Sequence, residues 1–123
     1  MMIVLSTINL DAPDPRELAA FYRNLLGYET VADEPEWVKL MPPDGRAPGL
    51  SFSLEPLFQR PSWPSQVDSQ QMMIHLDIQV DDLEAAGARA LELGATLAEF
   101  QPQQHVRVYL DPAGHPFCLW IVP

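Results

Sequence analysis

The chain has 123 residues, of which 47% are hydrophobic, a composition that suits one domain with a buried core. Seventeen acidic residues against seven Lys and Arg residues give a formal net charge of −10, so we expect neither nucleic acid nor an anionic membrane as a partner. The single Cys118 excludes an internal disulfide, and no apolar run approaches the roughly 20 residues of a membrane span. The first ten residues lack the pattern of a signal peptide, and we therefore expect a cytoplasmic protein.

The first predicted strand covers residues 2–10, in which apolar residues alternate with Thr7 and Asn9. A helix over residues 14–26 follows, because Asp14 is a good N-cap, Pro15 suits the first turn and Gly27 suits the end. Three short strands are then predicted over residues 28–33, 37–41 and 50–55, separated by turns rich in Pro and Gly. Module one, residues 1–55, thus has the order βαβββ.

Residues 56–71 (PLFQRPSWPSQVDSQQ) are predicted to be a linker, because three prolines interrupt any regular element. Trp63 is costly to leave in water, so we expect it to cover a pocket or to pack on a partner subunit. Together with Leu57 and Phe58, it favours a homodimer.

Module two, residues 72–123, repeats the order of module one. A strand over residues 74–80 alternates strictly, with His75, Asp77 and Gln79 on its polar face. A capped helix over residues 82–93 follows, and then strands over residues 96–100, 105–110 and 117–122. Superposing Asp14 on Asp82 places Thr7 on His75, which indicates an internal duplication, with short chance matches as the alternative.

Three motifs, DPRELAAFYRNLLG, HLDIQVDDLEAAGARALELGA and DPAGHPFCL, together resemble the vicinal oxygen chelate superfamily, and more narrowly its glyoxalase-like and bleomycin-resistance-like members. The resemblance implies an α+β fold in which two βαβββ modules form a cupped, mixed β-sheet, as in the glyoxalase/bleomycin resistance/dihydroxybiphenyl dioxygenase-like fold. The helices lie outside and a pocket lies inside. Because this superfamily includes isomerases, dioxygenases, thiol transferases and drug-binding proteins, whether this chain is an enzyme stays open.

The resemblance also implies four positions for metal ligands, which fall on Thr7, His75, about Ser53, and Cys118. Only His75 is a usual ligand type, since the hydroxyls of Thr and Ser are poor neutral donors. We therefore expect no metal and no other cofactor, with a metal bound through His75 as the alternative. Glu55 or Asp77 would contribute only if the predicted strand register were shifted by one residue.

The predicted strand parity gives the pocket a polar and aromatic lining, formed by Thr7, Asn9, Trp37, Lys39, Ser51, Ser53, His75, Asp77, Gln79, Arg107, Tyr109, Cys118 and Trp120. The alternative is that half of these residues are solvated or contact a partner. His75 is either a general base or a histidine hydrogen-bonded to Asp77 or Tyr109, and Cys118 is either a nucleophile or a packing residue.

Two functions follow from these expectations. The first is metal-independent binding or sequestration of a small molecule. The second is a metal-dependent lyase, isomerase or dioxygenase that uses His75. The acidic chain suits a cationic ligand, whereas Lys39 and Arg107 in the predicted lining favour an anionic group.

Overall fold

The computed structural model describes residues 1–123, which form two compact units, unit 1 (residues 1–58) and unit 2 (residues 59–123). Each unit contains one helix and one four-stranded sheet, in the chain order βαβββ. This confirms the α+β class and the two predicted modules. Neither helix has the length and apolar character that a membrane span requires.

Unit 1 contains β1 (Thr7–Ala12), α1 (Pro15–Leu26), β2 (Glu29–Glu34), β3 (Trp37–Met41) and β4 (Gly49–Leu54). The sheet order is β1-β4-β3-β2, with β1 parallel to β4 and the other neighbours antiparallel. The first strand begins at Thr7 rather than at residue 2, because its partner β4 begins at Gly49, opposite Thr7. The apolar residues 1–5 are exposed.

The helix of unit 1 packs its apolar face on the sheet. The side chain of Asp14 accepts a hydrogen bond from the backbone N–H of Glu17 at 3.2 Å, and Gly27 ends the helix in the left-handed conformation with φ 73°. Tyr22 of α1 is fully buried and stacks on Phe52 of β4, with 5.9 Å between the ring centroids. The even-numbered residues of β1 and β4 therefore face the helix, as the sequence parity predicts.

Unit 2 contains β5 (Leu76–Gln79), α2 (Leu83–Glu92), β6 (Thr96–Leu97), β7 (Val106–Leu110) and β8 (Pro116–Trp120), in the sheet order β5-β8-β7-β6. Asp82 caps α2 and accepts hydrogen bonds from the backbone N–H groups of Glu84 and Ala85, both at 3.0 Å. The turn between β7 and β8 is held by the buried Asp111, whose Oδ1 accepts hydrogen bonds from the backbone N–H groups of Ala113 and His115.

Residues 59–71 of the predicted linker belong to the compact body of unit 2. The indole N–H of Trp63 donates to the carbonyl oxygen of Phe100 at 3.1 Å, and the two ring centroids are 6.1 Å apart. Arg60 lies against Gly114 and donates to the carbonyl oxygen of Pro112. Trp63 thus packs on its own unit, and the pocket cover or subunit contact expected from the sequence stays a prediction.

Candidate functional site

In unit 1, four polar side chains form one hydrogen-bonded cluster on the sheet face opposite the helix. The hydroxyl of Ser51 donates to Oδ1 of Asn9 at 2.8 Å and lies 3.3 Å from the hydroxyl of Thr7, and the hydroxyl of Ser53 donates to the same oxygen of Asn9 at 2.9 Å. Trp37 lies opposite Ser53, and Lys39 opposite Ser51, so both share this face. The predicted lining residues of module one are therefore neighbours. The four clustered side chains are uncharged, but the amide group of Asn9 also donates to Oδ1 of Asp11 at 3.2 Å, so a carboxylate borders the cluster.

In unit 2, His75, Asp77 and Cys118 converge on the sheet face opposite the helix. Asp77 lies directly opposite Cys118 in the parallel pairing of β5 with β8, and His75 is two residues earlier, on the same face. The Nε2 atom of His75 is 3.2 Å from Oδ1 of Asp77, and the potential ligand atoms of the three residues all lie within 4.8 Å of one another. The histidine is thus paired with Asp77, and its role as a general base stays a prediction.

The Cys118 thiol is held in its protonated form. Burial, and then the negative charge of Asp77 and a hydrogen bond to it, raise the pKa of Cys118 from 9.0 to about 11. At neutral pH the group is therefore a neutral thiol, whereas a nucleophilic cysteine needs a lowered pKa. This environment suits a packing and hydrogen-bonding role.

A pocket of about 260 Å³ opens over this cluster, and all of its lining residues belong to unit 2: His75, Asp77, Gln103, Val106, Cys118 and Trp120. The side chains of His75 and Asp77 are 38% and 61% exposed, so both are accessible from solvent. The lining combines an indole ring and an aliphatic side chain with a few polar groups, a combination typical of small-molecule sites.

The prediction that Arg107 and Tyr109 share the face of Cys118 is wrong. In the antiparallel pairing of β7 with β8, Val108 lies opposite Cys118, whereas Arg107 and Tyr109 lie opposite Leu119 and Phe117 on the helix side of the sheet. Tyr109 stacks on Phe117. Burial raises the pKa of the Tyr109 hydroxyl, an effect that the charge of Arg107 partly offsets. The pairing of β7 with β8, rather than side-chain polarity, decides which residues of β7 face the pocket.

Arg107 nevertheless contacts the segment that forms one wall of the pocket. Its Nη1 atom donates to the carbonyl oxygens of Gln104 and Val106 at 2.8 and 2.9 Å, and more weakly to that of Gln103 at 3.4 Å. The side chain of Gln101 holds the start of this segment, because it exchanges hydrogen bonds with the backbone N–H and carbonyl oxygen of Val108. Gln103, which the sequence analysis missed, lies between these two anchors in a segment with no periodic pattern.

The structure changes the expected metal-ligand set in two ways. Asp77 joins His75 and Cys118 without any shift of the predicted register, so the expectation that it would need one is wrong. In unit 2, Asp77 lies opposite Cys118, and the corresponding pair in unit 1 is Asn9 opposite Ser51. The ligand position expected near Ser53 therefore falls on Ser51. Imidazole, carboxylate and thiolate are all ligands of zinc and related ions, so the three donors of unit 2 fit such an ion in type and number.

The comparisons with known proteins agree with this architecture. The family model of the glyoxalase-like domain matches residues 7–120, which is nearly the whole chain, and the protein therefore belongs to the glyoxalase-like domain family. No curated protein matches the sequence.

Solved structures with the same fold include enzymes and binding proteins. A glyoxalase/bleomycin resistance/dioxygenase family enzyme from Burkholderia phytofirmans has a TM-score of 0.74 at 20% identity, with 98% of this chain and 100% of that chain covered. A mutant of the fosfomycin resistance protein FosX from Listeria monocytogenes, complexed with Mn(II) and a dihydroxypropylphosphonic acid, has a TM-score of 0.68 at 17% identity, with coverages of 98% and 90%. TnmS3, an antibiotic binding protein from a Streptomyces species, has a TM-score of 0.59 at 19% identity, with coverages of 99% and 98%. At these identities, the likeness establishes the fold alone.

Proposed function

We propose that this glyoxalase-like protein binds a small molecule in the pocket of unit 2, and that it does so without a metal. The observation that carries the proposal is the lining of that pocket, in which the ring of Trp120 and the side chain of Val106 stand beside the polar groups of His75, Asp77 and Gln103. An aromatic surface supplies most of the contact area for a small ligand, and a few directed hydrogen bonds fix its orientation.

The hydroxyl groups of unit 1 support metal-independent binding. The neutral hydroxyls of Thr7, Ser51 and Ser53 in unit 1 offer no strong ligand for a transition metal.

A second candidate function is a metal-dependent lyase, isomerase or dioxygenase, which the convergence of His75, Asp77 and Cys118 favours. In that case these three side chains would hold the ion, which would polarise a substrate oxygen as a Lewis acid. Trp120 and Gln103 would orient the substrate beside it.

The metal content of the purified protein separates the two functions. We expect no stoichiometric transition metal, and no change in metal content in His75→Ala. His105→Ala is the matched control, because it removes an imidazole that does not line this pocket. About one zinc, nickel, iron or manganese ion per chain, retained in His105→Ala and lost in His75→Ala, would support the enzyme instead.

The binding function itself is tested by a thermal-shift screen of small aromatic and charged metabolites, since a ligand of the folded state raises the melting temperature by mass action. We expect hits whose shift is lost in Asp77→Asn or Trp120→Leu. If the hits keep their shift in both variants, the binding site lies elsewhere.

We further propose that the protein forms a homodimer. Exposed apolar side chains support this, since residues 1–5 and Leu57 are all largely exposed and their burial would favour association. Sedimentation should give twice the chain mass at tens of micromolar, and a monomer at that concentration would contradict the proposal.

A further inference from the structure

We propose that the pocket of unit 2 selects ligands that carry a positive charge, such as a protonated amine or a quaternary ammonium group, held between the Asp77 carboxylate and the Trp120 ring. This inference rests on the proposed binding function and names the class of ligand. It reverses the local preference for an anion that the sequence suggested.

The charge of the lining is the first argument. Asp77 is the only carboxylate among the six lining residues, and no Lys or Arg is among them. Arg107, the cation expected here, lies on the opposite face of the sheet and donates to backbone carbonyl oxygens. An anionic ligand would therefore face Asp77 with no Lys or Arg in the lining to compensate.

His75 is the one group in the lining that can carry a positive charge. Its Nε2 atom is 3.2 Å from Oδ1 of Asp77, so a protonated ring would compete with the ligand for the carboxylate. The Asp77 side chain is 61% exposed, however, which leaves part of the carboxylate open to a second partner.

The aromatic wall is the second argument. The register places Cys118 opposite Asp77 and Trp120 opposite Gln79, so Asp77 and Trp120 project from neighbouring strands on one face of the sheet. Indole is the best aromatic partner for a cation, and aromatic walls with a carboxylate are the chemistry that recognises quaternary ammonium groups. Val106, which lies opposite Trp120 in β8, adds an aliphatic surface for methyl groups.

The charge of the whole protein acts in the same direction. A net charge of −10 raises the local concentration of small cations near the surface, although salt screens this effect. The test must therefore distinguish attraction by the pocket from attraction by the chain as a whole.

Three probes with the same ring and different charge provide that test: benzyltrimethylammonium, benzyl alcohol and benzoate. Binding is measured by NMR titration of protein treated with EDTA, at pH 8 and about 50 mM salt, where screening is moderate. We expect benzyltrimethylammonium to bind about tenfold more tightly than benzyl alcohol, and benzoate to bind least, given the usual strength of a cation–π contact and an exposed ion pair.

Two isosteric variants test whether Asp77 causes the preference for the cationic probe. Asp77→Asn should bring the affinities for the cation and the alcohol within about threefold of each other, because the carboxylate partner is lost while the ring remains. Asp81→Asn makes the same change of charge outside the pocket lining and should leave the preference intact. An equal loss in both variants would assign the preference to the overall charge and overturn the inference.

The remaining outcomes separate this inference from the binding function. If benzoate or benzyl alcohol binds as tightly as the cation and shifts the Trp120 resonances, the pocket binds small molecules but does not select cations. If no probe shifts any pocket resonance at millimolar concentration, the inference fails and the proposed function loses its support as well.

Discussion

The alkylation rate of Cys118 depends on the pKa of its thiol, and the rate therefore measures how burial and Asp77 act on that group. At pH 8 a thiol with the ordinary pKa of 9.0 is about 10% ionised, whereas one with a pKa of about 11 is about 0.1% ionised. The more basic thiolate is intrinsically about six- to tenfold more nucleophilic, so the net rate of alkylation should be roughly 10- to 15-fold below that of an ordinary cysteine. Partial burial of the side chain lowers the rate further.

Alkylation by iodoacetamide measures this rate without interference, because Cys118 is the only cysteine. The same chain unfolded in urea is the reference. We expect the rate for the folded protein to rise about tenfold per pH unit from pH 7 to pH 10 without levelling, as a protonated thiol with a high pKa requires. A plateau below pH 9 would refute the proposed environment of the thiol.

The variant Asp77→Asn assigns the cause of the raised pKa. It removes the negative charge but leaves burial, which is the largest cause, so the pKa should fall only part of the way from about 11 towards 9.0. Each unit of pKa lost should speed alkylation at pH 8 by about threefold, since the gain in thiolate exceeds the loss in nucleophilicity. Asp81→Asn is the control, and an unchanged pH profile in Asp77→Asn would mean that the carboxylate does not act on the thiol.

Three further predictions concern the framework around the site. A Cβ atom at Gly87 would meet the hydroxyl of the buried Tyr109, so Gly87→Ala should lower the free energy of unfolding in urea by about 1–2 kcal/mol, and Tyr109→Phe in the same chain should restore most of it. Asp82→Ala removes both cap hydrogen bonds of α2 and should cost about 1 kcal/mol in the same assay, whereas no loss would mean that the cap is replaced by water. Arg107→Leu should speed amide hydrogen exchange in residues 103–106 by about tenfold, because it removes the Nη1 donor that holds the carbonyl oxygens of Gln104 and Val106. Unchanged exchange would show that the segment is held by other contacts.

The sequence predicted those elements whose signals are local. Both helices follow from an Asp cap, a periodic apolar stripe and a Gly near the end, and the structure confirms them within one residue at each end. The strand ends depended on partners that the sequence does not reveal. Residues 2–5 alternate like a strand, yet β1 starts only at Thr7, where β4 provides a neighbour.

The lining of the pocket depends even more strongly on strand pairings that the sequence does not reveal. In β5 one face is apolar and the other polar, so the parity that placed His75 and Asp77 in the site was unambiguous. In β7, polarity pointed to Arg107, but the register with β8 turned Val106 towards the pocket instead. Long-range pairing therefore decides which residues of that strand face the pocket. Gln103 had no signal at all, because its position depends on the hydrogen bonds that anchor a non-repetitive segment.

The central claim, that a small molecule binds in the pocket of unit 2 without a metal, is tested most directly by the indole N–H signals of the tryptophans in ¹⁵N-labelled, EDTA-treated protein. Trp120 lines the pocket, whereas the N–H of Trp63 is bonded to Phe100 and lies outside its lining. We predict that hits from the thermal-shift screen move the Trp120 signal, assigned with Trp120→Phe, in a saturable way and leave that of Trp63 in place. If the Trp120 signal stays unmoved while the hits bind, or moves only after a divalent metal is restored, the claim is contradicted.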